Sequence, residues 1–187
     1  MSGQSSPPHQ QGRGHEAPSA REFRDVVGQF ATGVTVVTVA SQGQVRGMTA
    51  NAFTAVSLDP LLVLVCLRVG CATDEMISTA EHFAISILSA GQQSVAAWFA
   101  NPTRPAGRQQ LDSISWRPGR ITGTPLVEDA LGWLECSVQE RAVVGDHAVI
   151  YGRVLDVGSS GGGGPLLFHQ GRFETISEER HRLGLVS

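Results

Sequence analysis

The feature that most restricts the fold is a succession of three strand-length segments with only turn residues between them. VTVVTVA (34–40) and VRGMTANAFTAVS (45–57) flank the polar, glycine-bearing turn SQGQ, and their β-branched residues predict a hairpin. Asp59 and Pro60 interrupt the pattern before LLVLVCLR (61–68), a continuous apolar run typical of a strand buried on both faces. Because no helix separates these strands, the chain lacks the strand–helix alternation of a parallel sheet.

Further strands follow in the second half of the chain. FAISIL (83–88), LGWLECSVQERAVV (131–144) and HAVIYGRVLDV (147–157) predict three more strands, and PLLFHQGRFETI (165–176) predicts an edge strand. Six or seven strands without regular alternation favour an antiparallel barrel. The fold class predicted from the residues is therefore mainly β.

Helical patterns are few and short. Thr73–Ala80 and Gln92–Ala100 each predict a helix. A third helix, which ends at Gly33, is predicted by an amphipathic stripe of four apolar residues, Phe23, Val26, Val27 and Phe30. We expect these helices to close the ends of the barrel.

The ends of the sequence differ from its middle. Residues 1–20 are mostly Pro, Gly, Ser and Gln, with too little apolar surface to fold, so we expect a disordered tail that includes His9 and His15. One domain is expected at 21–177, followed by a short C-terminal tail at 178–187. A length of 187 residues suits a single domain of this kind.

Composition excludes several function classes. A net charge of −3 and the lack of a basic stripe argue against nucleic-acid binding, and no apolar run is long enough to span a membrane. All 14 basic residues are Arg, which excludes Schiff-base chemistry on Lys and the Lys of a phosphate-binding P-loop. Three cysteines without a CxxC pair, and a start without a signal-peptide pattern, predict a cytoplasmic protein. No spacing of His, Cys or carboxylates predicts a metal site.

One segment has the composition of a ligand-binding wall. MTANAFTAVSLDP (48–60) places hydroxyl and amide groups beside small Ala residues, so a flat ligand could approach the backbone and form hydrogen bonds along one edge. A Thr-rich exposed strand explains the same residues equally simply. Composition alone leaves both interpretations open.

Five segments together resemble a known family. They are ATGVTVVT (31–38), GMTANAFTAVSLDPLLVLVCL (47–67), WLECSV (133–138), GDHAVIYGRV (145–154) and PLLFHQGRF (165–173). In this order and spacing they resemble the flavin reductase family of short-chain NAD(P)H:flavin oxidoreductases. The resemblance runs from about Phe23 to Phe173. It implies an antiparallel split β-barrel of the Greek-key, FMN-binding type, with a few short helices.

The resemblance also implies an activity and partners. It implies that hydride passes from NADH or NADPH to free FAD or FMN, and that the reduced flavin goes to the monooxygenase of a two-component system. A homodimer is implied, with the active site near the subunit interface. Two alternatives remain open: a flavoprotein that retains FMN tightly and acts on its own substrate, and a non-enzymatic flavin-binding barrel.

The resemblance assigns flavin-binding residues to two segments. The flavin ring is expected along Met48, Thr49, Ala50 and Asn51, and Ser57 is expected at the ribityl–phosphate chain. The second segment is the expected phosphate turn, with contacts from Cys66, Leu67, Arg68, Cys71, Ala72 and Thr73. This chain departs from the family there, because Cys71-Ala72-Thr73 replaces a Ser-Arg-Thr-like triplet, and Ala52 and Ala55 replace serines. A weak hold on the phosphate suits a flavin that diffuses away, and it slightly favours FAD, whose adenosine half adds contacts.

The remaining candidates concern the nicotinamide side. By resemblance, His147 in the GDH triplet faces the nicotinamide, and Arg172 and Phe173 lie near the active site of the adjoining subunit. From the residues alone, His147 is also explained as a turn-end residue bonded to Asp146. Arg104 and Arg108 are candidates for contacts to flavin or pyridine-nucleotide phosphates, or belong to a solvated loop.

Overall fold

The computed structural model describes residues 17–160 and 162–176. Its helices are α1 (Ala20–Val27), α2 (Ala72–Ile77) and α3 (Gln93–Ala100), with short 3₁₀ turns at Ala90–Gln92 and Gly107–Leu111. The strands are β1 (Thr32–Gly33), β2 (Thr35–Ser41), β3 (Gln44–Ala50), β4 (Phe53–Leu58), β5 (Leu61–Arg68), β6 (His82–Ile87), β7 (Trp116–Pro118), β8 (Pro125–Val127), β9 (Gly132–Val144), β10 (His147–Ser159), β11 (Leu166–His169) and β12 (Arg172–Thr175).

The main sheet is antiparallel throughout, in the order β3-β2-β6-β9-β10-β5-β4. Its two edge strands, β3 and β4, are consecutive in the chain and are separated only by Asn51 and Ala52. The sheet must therefore curl until its edges meet, which makes a barrel that is split between β3 and β4. The predicted mainly β, antiparallel split barrel with a few short helices is confirmed.

The predicted hairpin of β2 and β3 is also confirmed, with Thr35 opposite Ala50 and Ser41 opposite Gln44. Gln42 and Gly43 form its turn with φ values of 50° and 74°. Two successive positive φ values match the twist of the flanking strands, which is why a glycine stands in this turn.

Two strand predictions need correction. Residues 45–57 are two strands and not one, because the chain leaves the sheet edge at Asn51 and Ala52 to reach the opposite edge. The strand at 61–68 has the predicted bounds, but only alternate side chains (Val63, Val65, Leu67) are buried. Its outward apolar side chains are only half-buried within one chain, so burial on both faces is wrong for the isolated subunit.

The terminal elements differ from expectation in two ways. The predicted edge strand at 165–176 is a hairpin of β11 and β12, which joins β1 in a small three-stranded sheet. The first helix ends at Val27 and not at Gly33, and it begins at Ala20 because Ser19 caps it in a capping box with Glu22. The remainder of the predicted tails, 1–16 and 178–187, lies outside the described residues.

The core has two parts. One fills the barrel and includes Val37, Val65, Phe83 and Ile150. The other joins the barrel wall to α3 and the C-terminal hairpin, and includes Val34, Leu88, Phe99 and Leu166. None of the helices that the structure describes is long and apolar enough to cross a membrane.

Candidate functional site

A cleft of about 540 Å³ opens beside the sheet edge formed by β3, a volume within the range of small-ligand sites. Its lining comes from β3 (Arg46, Met48, Thr49), from α2 and its cap (Cys71, Ala72, Thr73), and from the end of α3 and the following loop (Phe99, Ala100, Pro102, Arg104, Pro105, Ala106). The cleft therefore brings together five predicted cofactor-binding residues from two distant segments: Met48, Thr49, Cys71, Ala72 and Thr73.

β3 pairs with β2 on one side, and a buried side chain holds its other edge. Gln110 is fully buried; its amide nitrogen donates to Val45 O and Gly107 O, both at 2.7 Å, and its amide oxygen accepts from Gly47 N at 2.9 Å. A single amide side chain thus satisfies polar groups of an edge strand that would otherwise be free. The wall can then carry ligand contacts without fraying.

Close packing of α3 onto β3 fixes the bottom of the cleft. A Cβ at Gly47 would lie 2.6 Å from Phe99 Cε1, so only glycine lets this ring pack against the strand. The hydroxyl of Thr49 donates to Ala96 O at 2.6 Å. The proton of Thr49 is therefore committed to the helix, and the oxygen lone pairs remain for a ligand donor.

The turn before α2 is clamped by a buried carboxylate. Asp74 is 1% exposed, accepts from Gly70 N at 3.0 Å, and pairs with Arg141 through two bonds of 2.8 Å. The hydrogen bonds from Arg141 lower the pKa of Asp74 despite its burial. Because Arg141 lies on β9, this ion pair fixes the turn to the barrel.

Cys71 caps the N-terminus of α2, at the position where the resemblance to the family leads us to expect a serine hydroxyl. Its Sγ accepts from Asp74 N at 3.4 Å and lies 3.8 Å from Met48 Sδ. Thr73 lines the cleft but is only 2% exposed. The turn thus contributes few exposed polar groups to the cleft.

Two guanidinium groups line the cleft. Arg104 donates to Asn101 O at 2.8 Å and to Gly47 O, and lies over the Phe99 ring, 5.9 Å from its centroid. Burial lowers the pKa of Arg104, and the positive charge of Arg46 lowers it further. Within residues 17–160 and 162–176, neither arginine has a carboxylate within 4.0 Å.

The other loop arginine that the sequence singled out lies elsewhere. Arg108 is not part of the cleft lining. Its guanidinium lies over the Trp116 ring, 5.4 Å from the centroid. Arg104 therefore lines the cleft, whereas Arg108 packs against the ring of Trp116.

His147 lies at the tip of the hairpin of β9 and β10. Its Nδ1 is 2.8 Å from Asp146 Oδ1, which matches the turn-end interpretation, and its side chain is 47% exposed. The contact with His147 lowers the pKa of Asp146, so the carboxylate accepts from Nδ1 and leaves Nε2 for another partner. Val69 N donates to Asp146 O at 3.1 Å, which ties this tip to the segment that enters the cleft.

A smaller depression adjoins the cleft on the other side of Thr49. It is lined by Val34, Thr49, Asn51, Ala100, Phe168 and Phe173. Phe173 packs edge-on against Phe168 with ring centroids 5.6 Å apart. Thr49 lines both the cleft and this depression, so Asn51 and Phe173 lie next to the cleft. Arg172, by contrast, is exposed on β12.

The remaining predicted residues lie away from the cleft. Ser57 is opposite Leu62, and its hydroxyl accepts from Asp59 N at 3.2 Å. Arg68 is exposed opposite His147, and Cys66 lies on the outward face of β5, where burial raises its pKa. Ala50 and Leu67 are buried in the core cluster, which leaves their backbones for any ligand contact.

Several lining residues were missed by the sequence reasoning, notably Arg46, Phe99 and Pro102. Arg46 precedes Met48 by two residues on the same strand face, so the period-2 alternation of β3 was the signal that could have found it. The positions of Phe99 and Pro102 depend on how α3 packs on β3, which a local pattern does not contain.

Across residues 17–160 and 162–176, no group of three His, Cys, Asp or Glu side chains could hold a metal ion.

Comparison with known proteins gives a consistent result. Residues 27–177 match the family described as "Flavin reductase like domain". An NADH-dependent FAD reductase from Streptomyces globisporus is 39% identical over 158 residues, which cover 84% of this chain and 86% of that protein. The NADH-dependent FMN reductase AsuE2 from Streptomyces nodosus subsp. asukaensis is 37% identical over 171 residues, 91% of each chain. The crystal structure of BorF, the flavin reductase component of a bacterial two-component tryptophan halogenase, is 40% identical with a TM-score of 0.80, covering 84% of this chain and 98% of BorF.

Proposed function

The chain belongs to the flavin reductase family and is an NAD(P)H:flavin oxidoreductase, and we propose that it uses FAD or FMN as a dissociable substrate and delivers the reduced flavin to a partner flavin-dependent monooxygenase. The observation that carries this proposal is the cleft, where Met48 and Thr49 meet Cys71, Ala72 and Thr73. These two segments are the ones expected to hold the flavin ring and its phosphate.

The residues fit a flavin that is held loosely. The cleft is open and is lined by small and apolar side chains with two cations, which suits a flat ring that carries a phosphate chain. Cys71 and Ala72 offer no hydroxyl, so the turn itself contributes little to the hold on a phosphate. We infer that FAD is preferred to FMN, because its adenosine half adds contacts.

The chemistry requires little from the protein. A flavin held by the cleft residues would supply the hydride acceptor and NAD(P)H the hydride donor, so the reaction belongs to the two cofactors. The chain's own residues bind and orient: the wall of Met48 and Thr49 positions the ring, and the lone pairs of the Thr49 hydroxyl accept a donor. We assign His147 to the nicotinamide side, where Nε2 is available for a hydrogen bond and Asp146 fixes the imidazole orientation.

We also propose a homodimer that shares the active site. α1 and the residues after it expose large apolar side chains, with Phe30 at 77%, Val26 at 71% and Phe23 at 62%. Val27 and Phe30 line an open groove with Asn51 of the flavin wall. A second copy that covers this groove would bury the apolar stripe and close the site beside Asn51.

We further propose that the protein is located in the cytoplasm. All three cysteines, Cys66, Cys71 and Cys136, are free thiols. Unpaired cysteines are typical of a reducing compartment.

The proposal is tested by NADH oxidation with protein that has been freed of small molecules. We expect a rate only when FAD or FMN is added, and substoichiometric flavin in the purified protein. A stoichiometrically yellow protein whose rate ignores added flavin would favour the alternative of a retained FMN. Flavin binding without any NADH oxidation would favour a non-enzymatic barrel.

A further inference from the structure

Arg46 and Arg104 are two like charges in one cleft without a neutralising partner. No carboxylate lies within 4.0 Å of either guanidinium in the part of the chain that the structure describes. Their mutual repulsion and the burial of Arg104 both disfavour the charged form of Arg104. A doubly charged anion placed between them would relieve both effects.

Arg104 is held in place before any ligand arrives. Two of its five N–H donors bind Asn101 O and Gly47 O, and its guanidinium lies over the Phe99 ring. Arginine is suited to phosphate because its planar donors are fixed in a fork. The remaining donors of Arg104 can bind an anion without much further loss of side-chain entropy.

The adjacent turn explains why the cleft needs these cations. Cys71 and Ala72 provide no hydroxyl, and the one hydroxyl residue of this turn, Thr73, lines the cleft with only 2% of its surface exposed. We propose that Arg46 and Arg104 form the phosphate-binding subsite of this cleft, on the walls made by β3 and the loop after α3, in place of the turn at 71–73. This inference rests on the proposed function and adds to it the residues that hold the dinucleotide.

Phosphate groups reach the cleft from two sources, the flavin and the nicotinamide dinucleotide. Their shared chemistry is a phosphate or pyrophosphate dianion. Riboflavin carries the same ring without a phosphate, so it separates ring binding from phosphate binding. The KM for NADH reports the second source.

The test compares Arg46→Gln and Arg104→Gln with a matched control, Arg117→Gln. Arg117 also lies over an aromatic ring, Trp133 at 4.7 Å, but outside the cleft. Dissociation constants for riboflavin, FMN and FAD are measured by flavin fluorescence without NADH, and the KM for NADH is measured separately with riboflavin as the flavin.

We expect each cleft variant to bind FAD and FMN about tenfold or more weakly, as for a lost charged hydrogen bond, with riboflavin binding unchanged. If the nicotinamide dinucleotide is the source, the KM for NADH rises instead and all three flavins bind as before. The proposal is overturned if both variants behave like Arg117→Gln, or if riboflavin binding weakens as much as FAD binding. Should Arg104→Gln fail to fold, Arg46→Gln decides on its own. Failure of the proposed function is distinct, because wild-type protein would then reduce neither riboflavin nor FAD.

Discussion

The walls of the cleft and the surface around α1 differ in how far contacts within one chain pair their polar groups and bury their apolar side chains. On the cleft side, buried polar groups are paired: Gln110 bridges two carbonyls and an amide, and Asp74 is held by Arg141 and Gly70. On the α1 side, Phe30 and Val26 project into solvent. The buried polar groups of the cleft walls are therefore paired within one chain, whereas the apolar side chains of the α1 surface are left for the second copy that we propose.

This difference separates two tasks of the site. Buried polar side chains fix the walls of the cleft in which we propose that the flavin binds, and they act within the single chain. In the proposed homodimer, the apolar surface around α1 would close the site, and this closure would depend on association. Substitutions in the cleft walls should therefore lower the stability of the single chain, whereas substitutions on α1 should weaken association.

The largest effect is expected from breaking the clamp of the cleft. Asp74→Asn removes the charged acceptor of two hydrogen bonds from Arg141, so the free energy of unfolding should fall by up to about 3 kcal/mol, as for lost hydrogen bonds to a charged group. The control is Asp156→Asn, whose partner Arg120 is 74% exposed, so a much smaller loss of stability is expected. Urea unfolding measures both, and similar losses in the two variants would show that the clamp does not stabilise the fold.

On the α1 side, Phe30→Ser should weaken the dimer and leave the subunit folded. Burying a Phe side chain stabilises an interface by about 2 kcal/mol per copy, and this variant forfeits it. Analytical ultracentrifugation measures the association, with Ile121→Ser as control, since Ile121 is 52% exposed in a different region. Equal dimer stability in wild type and Phe30→Ser would remove α1 from the interface.

Acid should destabilise the fold through its buried carboxylates, one at the cleft turn and one on β9. Burial raises the pKa of Glu135, but hydrogen bonds from Thr122 outweigh it, so the pKa of Glu135, like that of Asp74, is lowered in the folded state. A lowered pKa gives stability that is present above the unfolded value of about 4 and is lost as pH falls through the folded value. The free energy of unfolding should decline below about pH 4, and less steeply in Asp74→Asn. An identical slope in that variant would contradict the role of Asp74.

The smallest effect is expected at the hairpin tip. His147→Ala should raise the KM for NADH or lower kcat by about three- to tenfold, the cost of one neutral hydrogen bond, with flavin affinity unchanged. If His147 serves only as a turn-end residue bonded to Asp146, the melting temperature falls and the kinetics stay the same. Both quantities are measured on one preparation at a temperature where the variant is folded.

The sequence predicted local elements better than their surroundings. The hairpin of β2 and β3 followed from β-branched residues around a glycine turn. The bounds of β5 were predicted correctly. Its apolar pattern could not show that the side chains on its outer face are only half-buried. The break at Asn51 and Ala52 was missed, because it marks a crossing between sheet edges and not a change in hydropathy.

The candidate site shows the same limit. Thr49 and Cys71 were placed by resemblance to a family, and no local spacing would have joined them. Gln110 bonds to Gly47 across 63 positions of sequence, and Arg104 reaches Gly47 across 57. Contacts of that range depend on how α3 and its loop pack on β3, which a local pattern does not contain.

The double variant Val26→Ser/Phe30→Ser tests the proposed shared site most directly: we expect the cleft of one chain to bind flavin and turnover to need the second copy. The decisive measurement sets the FAD dissociation constant of this variant beside its rate of NADH oxidation, at a concentration where it is monomeric. We expect FAD binding within about threefold of wild type, less than one hydrogen bond's worth, and a rate at least about tenfold lower. A monomer that oxidises NADH at the wild-type rate would contradict the shared site.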